Sequence, residues 1–140
     1  MRYFIRFFFI TPLDSVAPLH VRLSEFGYSV QPAGTNTVDI VLYGDTLLRI
    51  ELTTADEAVT QDDVLAFIEV VHELPDEPDA PLVLETLAKT QAVLALHVPE
   101  DADPDDLDPI LDECAALGKG LVQVDGEGFY QDGVLILALE

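Results

Sequence analysis

The stretch VLYGDTLLRIEL, residues Val41–Leu52, returns near the C-terminus as GFYQDGVLILAL, residues Gly128–Leu139. Tyr43 and Asp45 fall on Tyr130 and Asp132, with a turn between two apolar runs in both copies. Upstream, LDSVAPLHVRLSEFG (Leu13–Gly27) aligns without a gap on PDDLDPILDECAALG (Pro104–Gly118), which sets Asp14, Pro18 and Gly27 on Asp105, Pro109 and Gly118. Ahead of each lies an apolar strand pattern that stops near a proline, Pro12 or Pro99. Each portion therefore reads strand, helix, three strands. Self-similarity of this kind outranks any single element in deciding a fold. The expectation is an α+β fold made by internal duplication of a β-α-β-β-β unit. Its sheet is mainly antiparallel, its helices pack on one face, and two connecting helices lie between the copies. The 140 residues form one domain, with pseudo-repeats at 1–53 and 91–140 and a helical connection at 54–90.

The elements inside this frame follow from periodicity and punctuation. Arg2–Ile10 is apolar at nearly every position, as in a strand covered on both faces and central in its sheet. Val16, Leu19, Leu23 and Phe26 recur at helical steps, and Gly27 ends that helix. Pro32–Asn36 reads as a loop, and Gly44-Asp45 as a two-residue hairpin turn. In the following strand Leu48, Ile50 and Leu52 point one way and Arg49 and Glu51 the other, so one face is wet. Thr60 reads as the cap of a second helix, with Asp63 closing a form of capping box. Asp103-Pro104 and Asp108-Pro109 are both helix-start signals. The last strand, Val134–Leu139, is apolar throughout and is expected to be central.

Half the residues are apolar (49%), ample for a folded core. The net charge is −21, and all of it lies beyond residue 50. Residues 1–50 hold four acids and four arginines, whereas the remaining 23 acids face only Lys89 and Lys119. Such a chain does not bind nucleic acid through phosphates, which requires clustered Lys and Arg. A basic protein partner or a cation fits it, and solubility alone would also explain it. Salt adaptation would acidify the whole surface, so the neutral first third argues against that. No apolar run approaches the roughly 20 residues of a membrane-spanning helix. The N-terminal MRYFIRFFFI is interrupted by Arg6 and lacks a cleavage site, so it reads as a strand and the expected location is cytoplasmic.

The chemistry-bearing residues are few. Cys114 is the one cysteine and sits on an apolar helix face, as a small hydrophobe does. The acids between Glu100 and Asp108 alternate like calcium ligands but lack the EF-hand glycine and closing glutamate, and they suit a helix start. Glu69 and His72 have Glu-x-x-His spacing without the second such pair that a carboxylate-bridged metal site needs. His20 falls beside Val16 and Leu23 on the face turned to the sheet, where it is a core histidine or a general base. No metal, cofactor or catalytic set is read from the chain.

In element order the chain is similar to bacterial effector-binding domains of the gyrase-inhibitor-like kind, which also duplicate a strand–helix–hairpin unit. In size and charge it is similar to the small acidic chaperones of type III secretion. Neither likeness carries a motif residue across. Three readings result. The first is a non-enzymatic acidic interaction module for a basic protein or cationic partner, with a homodimer admitted. The second is a small-molecule binding domain with a cleft between the copies, its ligand-binding residues being Tyr43, Tyr130 and His20. The third is an enzyme with an unrecognised site at His20 or His72.

Overall fold

β1 (Arg2–Phe9) behaves as its composition requires, because successive side chains leave a strand on opposite sides. Ile5, Phe7 and Phe9 enter one buried cluster and Phe8 enters another. The computed structural model describes residues 2–43, 46–74, 77–100 and 102–139. After β1 come α1 (Ala17–Glu25), β2 (Ser29–Gly34), β3 (Thr37–Tyr43) and β4 (Thr46–Thr54). The helices α2 (Ala58–His72) and α3 (Ala80–Ala88) follow. The chain closes with β5 (Ala92–Pro99), α4 (Pro104–Ala115), β6 (Gly120–Val124), β7 (Gly128–Gln131) and β8 (Val134–Ala138). The strands form one antiparallel sheet in the order β2-β3-β4-β5-β1-β6-β7-β8. The fold is α+β, and no described helix is long and apolar enough to cross a membrane.

β1 is central, paired with β5 from Arg2↔Pro99 to Phe9↔Ala92 and with β6 from Ile5↔Val124 to Phe9↔Gly120. The pairings leave β1 and β2 running the same way, and likewise β5 and β6. Parallel strands need a crossover, and α1 and α4 provide the two. α1 takes the chain across β5, β4 and β3 to the edge, whereas α4 crosses β1 alone. Both lie on one face, where Leu19, Leu23, Leu107 and Ile110 pack against strand residues such as Ile50 and Leu94. Arg22 of α1 donates to the Glu113 carboxylate of α4.

Three expectations are corrected. The helices do not share a face. α2 and α3 bury Val71, Val83 and Leu87 with Phe8, Phe129 and Leu137, on the side opposite α1 and α4. A strand with phenylalanines on both sides needs both sides covered. The halves share an element order, but the strand placement expected of a duplicated unit is not shared. β4, the third strand of the first meander, flanks the central pair, whereas in the second half it is β6, the first of its meander. Nor is β8 central. It is an edge strand, with Val134 62% and Leu135 45% exposed. Its apolar composition serves one face, where Leu137 and Ile136 pack beneath α2 and α3.

Local differences have local causes. β2 runs through Pro32, which pairs with Val38, because an edge strand can spare an N–H. α2 starts before Thr60, which is buried and donates to Thr53 at 2.6 Å. Glu57 occupies the cap position and accepts from the Thr54 N–H at 2.6 Å. Asp103 caps α4 by accepting from the Asp105 N–H at 2.9 Å, so Pro109 falls inside the helix. The wet face of β4 stands as expected, since Leu48, Ile50 and Leu52 are buried. The Gly44-Asp45 turn lies outside the described residues.

Among the described glycines, Gly120 lies closest to a neighbouring backbone. A Cβ there would lie 1.8 Å from the Phe8 carbonyl oxygen, so β6 could not stay paired with β1. Gly120→Ala is expected to lower stability by about 3 kcal/mol, an overpacking cost against immovable backbone. Urea unfolding measures it, and an unchanged midpoint would contradict the close approach.

Candidate functional site

The two helix pairs cover diagonally opposite regions of the sheet. The first cluster draws buried residues from β1, β3, β4 and β5, and the second from β5, β1, β6, β7 and β8. The face that carries α1 and α4 is therefore left open over β6, β7 and β8. A groove of about 470 Å³ runs there, between α4 and β1, β6 and β7. Its floor includes Ile5, Phe7, Val122 and Val124. Leu107 and Leu111 of α4 close one side, and Asp108 and Asp112 stand one position further along the helix. Residues four apart share a helix face, so the two carboxylates form one row beside the apolar stripe. The far rim carries Tyr3, Glu127 and Tyr130. No lysine or arginine is among the described lining residues.

The rim is internally bonded. Tyr130 donates its hydroxyl to the Glu127 carboxylate. That bond, with some burial and the Glu127 charge, raises the Tyr130 phenol above its ordinary pKa. Burial and the same carboxylate raise Tyr3. Both phenols thus remain protonated at neutral pH.

Glu127 sits on the turn between β6 and β7, and a network on the opposite face holds that turn. Arg6 donates to Gln123 Oε1 at 2.7 Å and to Asp125 Oδ1 at 2.8 Å. Asp125 Oδ2 accepts from the Phe4 N–H at 3.1 Å, and the Asp125 N–H donates to the Phe4 carbonyl at 3.1 Å. The Arg6 guanidinium lies 4.7 Å from the Phe4 ring centre and 5.3 Å from that of Phe67, between sheet and α2. A planar, weakly hydrated cation is well suited to such a slot. Nearby on this face Arg49 holds Asp39 with two bonds of 2.8 and 3.0 Å. His97 Nε2 stands 3.3 Å from Glu51, its ring edge-on to Phe4 at 4.6 Å.

The three residues singled out from sequence do not meet. Tyr130 lines the groove. Tyr43 ends β3, five strand spacings from β7 in the sheet order, or about 24 Å away. Its side chain lies outside the described residues. His20, half-buried on α1, lines neither described groove. The two halves join through the β1–β5 ladder, so no cleft separates them there. No family model, curated protein or solved structure matches this chain.

Other candidates resolve individually. Cys114 is fully buried, and burial pushes its thiol far above the ordinary range, so it is held as the neutral thiol. Glu69 and His72 are exposed on α2. Among the described residues no group of three His, Cys, Asp or Glu side chains is placed to hold a metal ion. Sequence reasoning passed over Tyr3, Glu127 and the pairing of Asp108 with Asp112. The visible signal was two acids four apart, each directly following a leucine of the helix stripe.

Burial alone would raise the Asp125 carboxyl. Bonds from Gln123, Arg6 and the Phe4 N–H, with the Arg6 charge, outweigh burial and hold it below the usual carboxylate range. A carboxyl depressed on folding contributes stability above its unfolded pKa and loses it as pH falls through its folded pKa. Asp125→Asn is therefore expected to cost about 1 kcal/mol at about pH 7, a charged hydrogen-bond value discounted for solvent screening. The gap to the native chain should close as pH falls below the usual carboxylate range. Urea unfolding across that range tests it, and a gap that stays constant would contradict the assignment.

Proposed function

We propose that this chain is a non-enzymatic binding module whose groove between α4 and the open faces of β1, β6 and β7 takes a cationic, amphipathic segment of a basic partner. One observation carries the reading. Asp108, Asp112 and Glu127 rim an apolar floor, with no cation among the described lining residues. An extended or helical segment with apolar residues on one side and lysines or arginines on the other matches both features. Its apolar side chains would cover Val122 and Val124, while its cations meet carboxylates at the rim. The net charge of −21 supports the reading at longer range, because it raises the encounter rate with a basic partner. The groove supplies charge and apolar surface rather than a nucleophile beside a base, which favours binding over catalysis. Pairing of β8 edges in a homodimer is disfavoured by the repulsion between two chains of −21 each.

The test is a titration with a short amphipathic peptide of alternating lysine and leucine, followed by fluorescence anisotropy. Three proteins are compared: the native chain, a rim variant with Asp108→Asn, Asp112→Asn and Glu127→Gln, and a control with Asp62→Asn, Glu69→Gln and Glu73→Gln along α2 and at its C-terminal cap. Both variants remove three charges. The rim variant is expected to bind at least about tenfold more weakly than the control. Binding by the native chain should weaken steeply as salt rises from about 50 to about 300 mM. Equal weakening in both variants would reduce the effect to net charge alone and contradict the groove, and salt-independent binding would contradict the electrostatic reading.

A further inference from the structure

Beyond residue 50 the chain has only two cations, Lys89 and Lys119, against 23 acids, and both line one cavity. That cavity, about 570 Å³, opens at the other end of α4, between the C-terminal ends of α3 and α4 and the turn joining β7 to β8. Phe9, Ile10, Leu82 and Leu121 give it an apolar wall. Its volume lies within the range of small-molecule sites.

The two lysines are held differently. Lys89 closes α3, and its Nζ stands 2.8 Å from Glu85 one turn back, so its charge is already shared. Lys119 lies between two glycines that let the chain press against the end of β1. A Cβ on Gly118 would sit 3.1 Å from the Phe9 ring and 3.1 Å from Thr11 Cβ, and Gly120 leaves no room at all against Phe8. The Lys119 N–H donates to Thr11 Oγ1 at 3.1 Å, and its carbonyl accepts from the Ile10 N–H at 2.7 Å. The backbone of Lys119 is thus fixed, and its side chain is left at the cavity wall with no ion pair to a described residue. Arg6, Arg22, Arg49 and Lys89 each pair with a carboxylate. An ammonium with no carboxylate partner among the described residues is out of character for a chain so rich in acids.

We propose that this cavity, which adjoins the acidic groove at Phe7, Ala115, Val122 and Gly133, is a second site and that it binds a small monocarboxylate with an apolar body. The carboxylate pairs with Lys119, and Lys89 stands by as a second, partly neutralised cation. The body lies on Phe9, Ile10, Leu82 and Leu121. One uncommitted cation matches one negative charge. A dianion would meet Glu85 and Asp132, which also line the cavity, without enough positive charge to offset them. The apolar wall selects a tail over a bare inorganic anion.

Octanoate is the probe, with octylammonium as the arm of opposite charge and the same tail, each titrated into the full chain by two-dimensional amide NMR. Octanoate is expected to bind with shifts centred on Thr86, Lys119 and Leu121, and octylammonium to leave those resonances in place. Lys119→Gln, at an exposed side chain, is expected to keep the native spectrum elsewhere and to weaken octanoate at least about tenfold. Lys89→Gln should weaken it less, because that lysine is shared with Glu85. The proposal is overturned if octanoate does not bind by about 10 mM. It is equally overturned if octylammonium moves the same resonances as strongly, if Lys119→Gln binds octanoate like the native chain, or if the shifts fall at Tyr3 and Tyr130 instead.

Discussion

Phe7 and Phe9 leave the central strand on one side and Phe8 on the other, and all three are at most 3% exposed. Each such side chain contributes about 2–3 kcal/mol when withdrawn from water, and only if something covers it. The demand to cover both faces of β1 shapes the rest of the molecule. β5 flanks it along its whole length and β6 from Ile5 to Phe9, so both edges of its phenylalanine run are paired. α1 and α4 cover one face and α2 and α3 the other. Phe8, Phe67 and Phe129 meet ring to ring at 5.5–6.1 Å, an arrangement that adds to burial alone.

Among the described residues, the four helices do not cover both faces of the eight-stranded sheet, and part of each face is left open. One open region, on the α2–α3 face over β3 and β4, is filled by its own ion pairs, Asp39 with Arg49 and Glu51 with His97. The other, beside α4, keeps an apolar floor and an acidic rim with no cation of its own among the described lining residues. That difference separates a sheet face closed by its own ion pairs from the groove proposed above as a binding site. The Arg6–Asp125 network links the two sides, because it ties the turn bearing Glu127 to the strand on which the core depends.

The local pattern of the sequence was legible where packing is local. Alternation in β4 and continuity in β1 both correspond to the burial observed, and β1 is central as its composition implies. Strand order was not legible, because it depends on which distant segments pair. An apolar run like VLILA suits a central strand and equally an edge strand covered on one face, and only the position of α2 and α3 separates the two. Likewise the match of Tyr43 with Tyr130 is a match of hairpin chemistry, and the sheet sets these residues on opposite sides of the central pair. Tyr130 reached the groove because β7 borders an uncovered face. Glu127 reads in sequence as a turn residue, and its place opposite Asp108 and Asp112 arises from the β5–α4–β6 crossover.

The placement of β1 between the first and second strands of the C-terminal half supports every later step, since the groove, its rim and the lysine cavity all lie against that arrangement. Nuclear Overhauser contacts across the sheet report it directly, and one residue suffices. Ile5 is expected to show cross-strand contacts to Leu96 on one side and to Val124 on the other. Contacts from Ile5 to β4 in place of these would mean that each half closes its own sheet, and neither the acidic groove nor the lysine cavity would then exist.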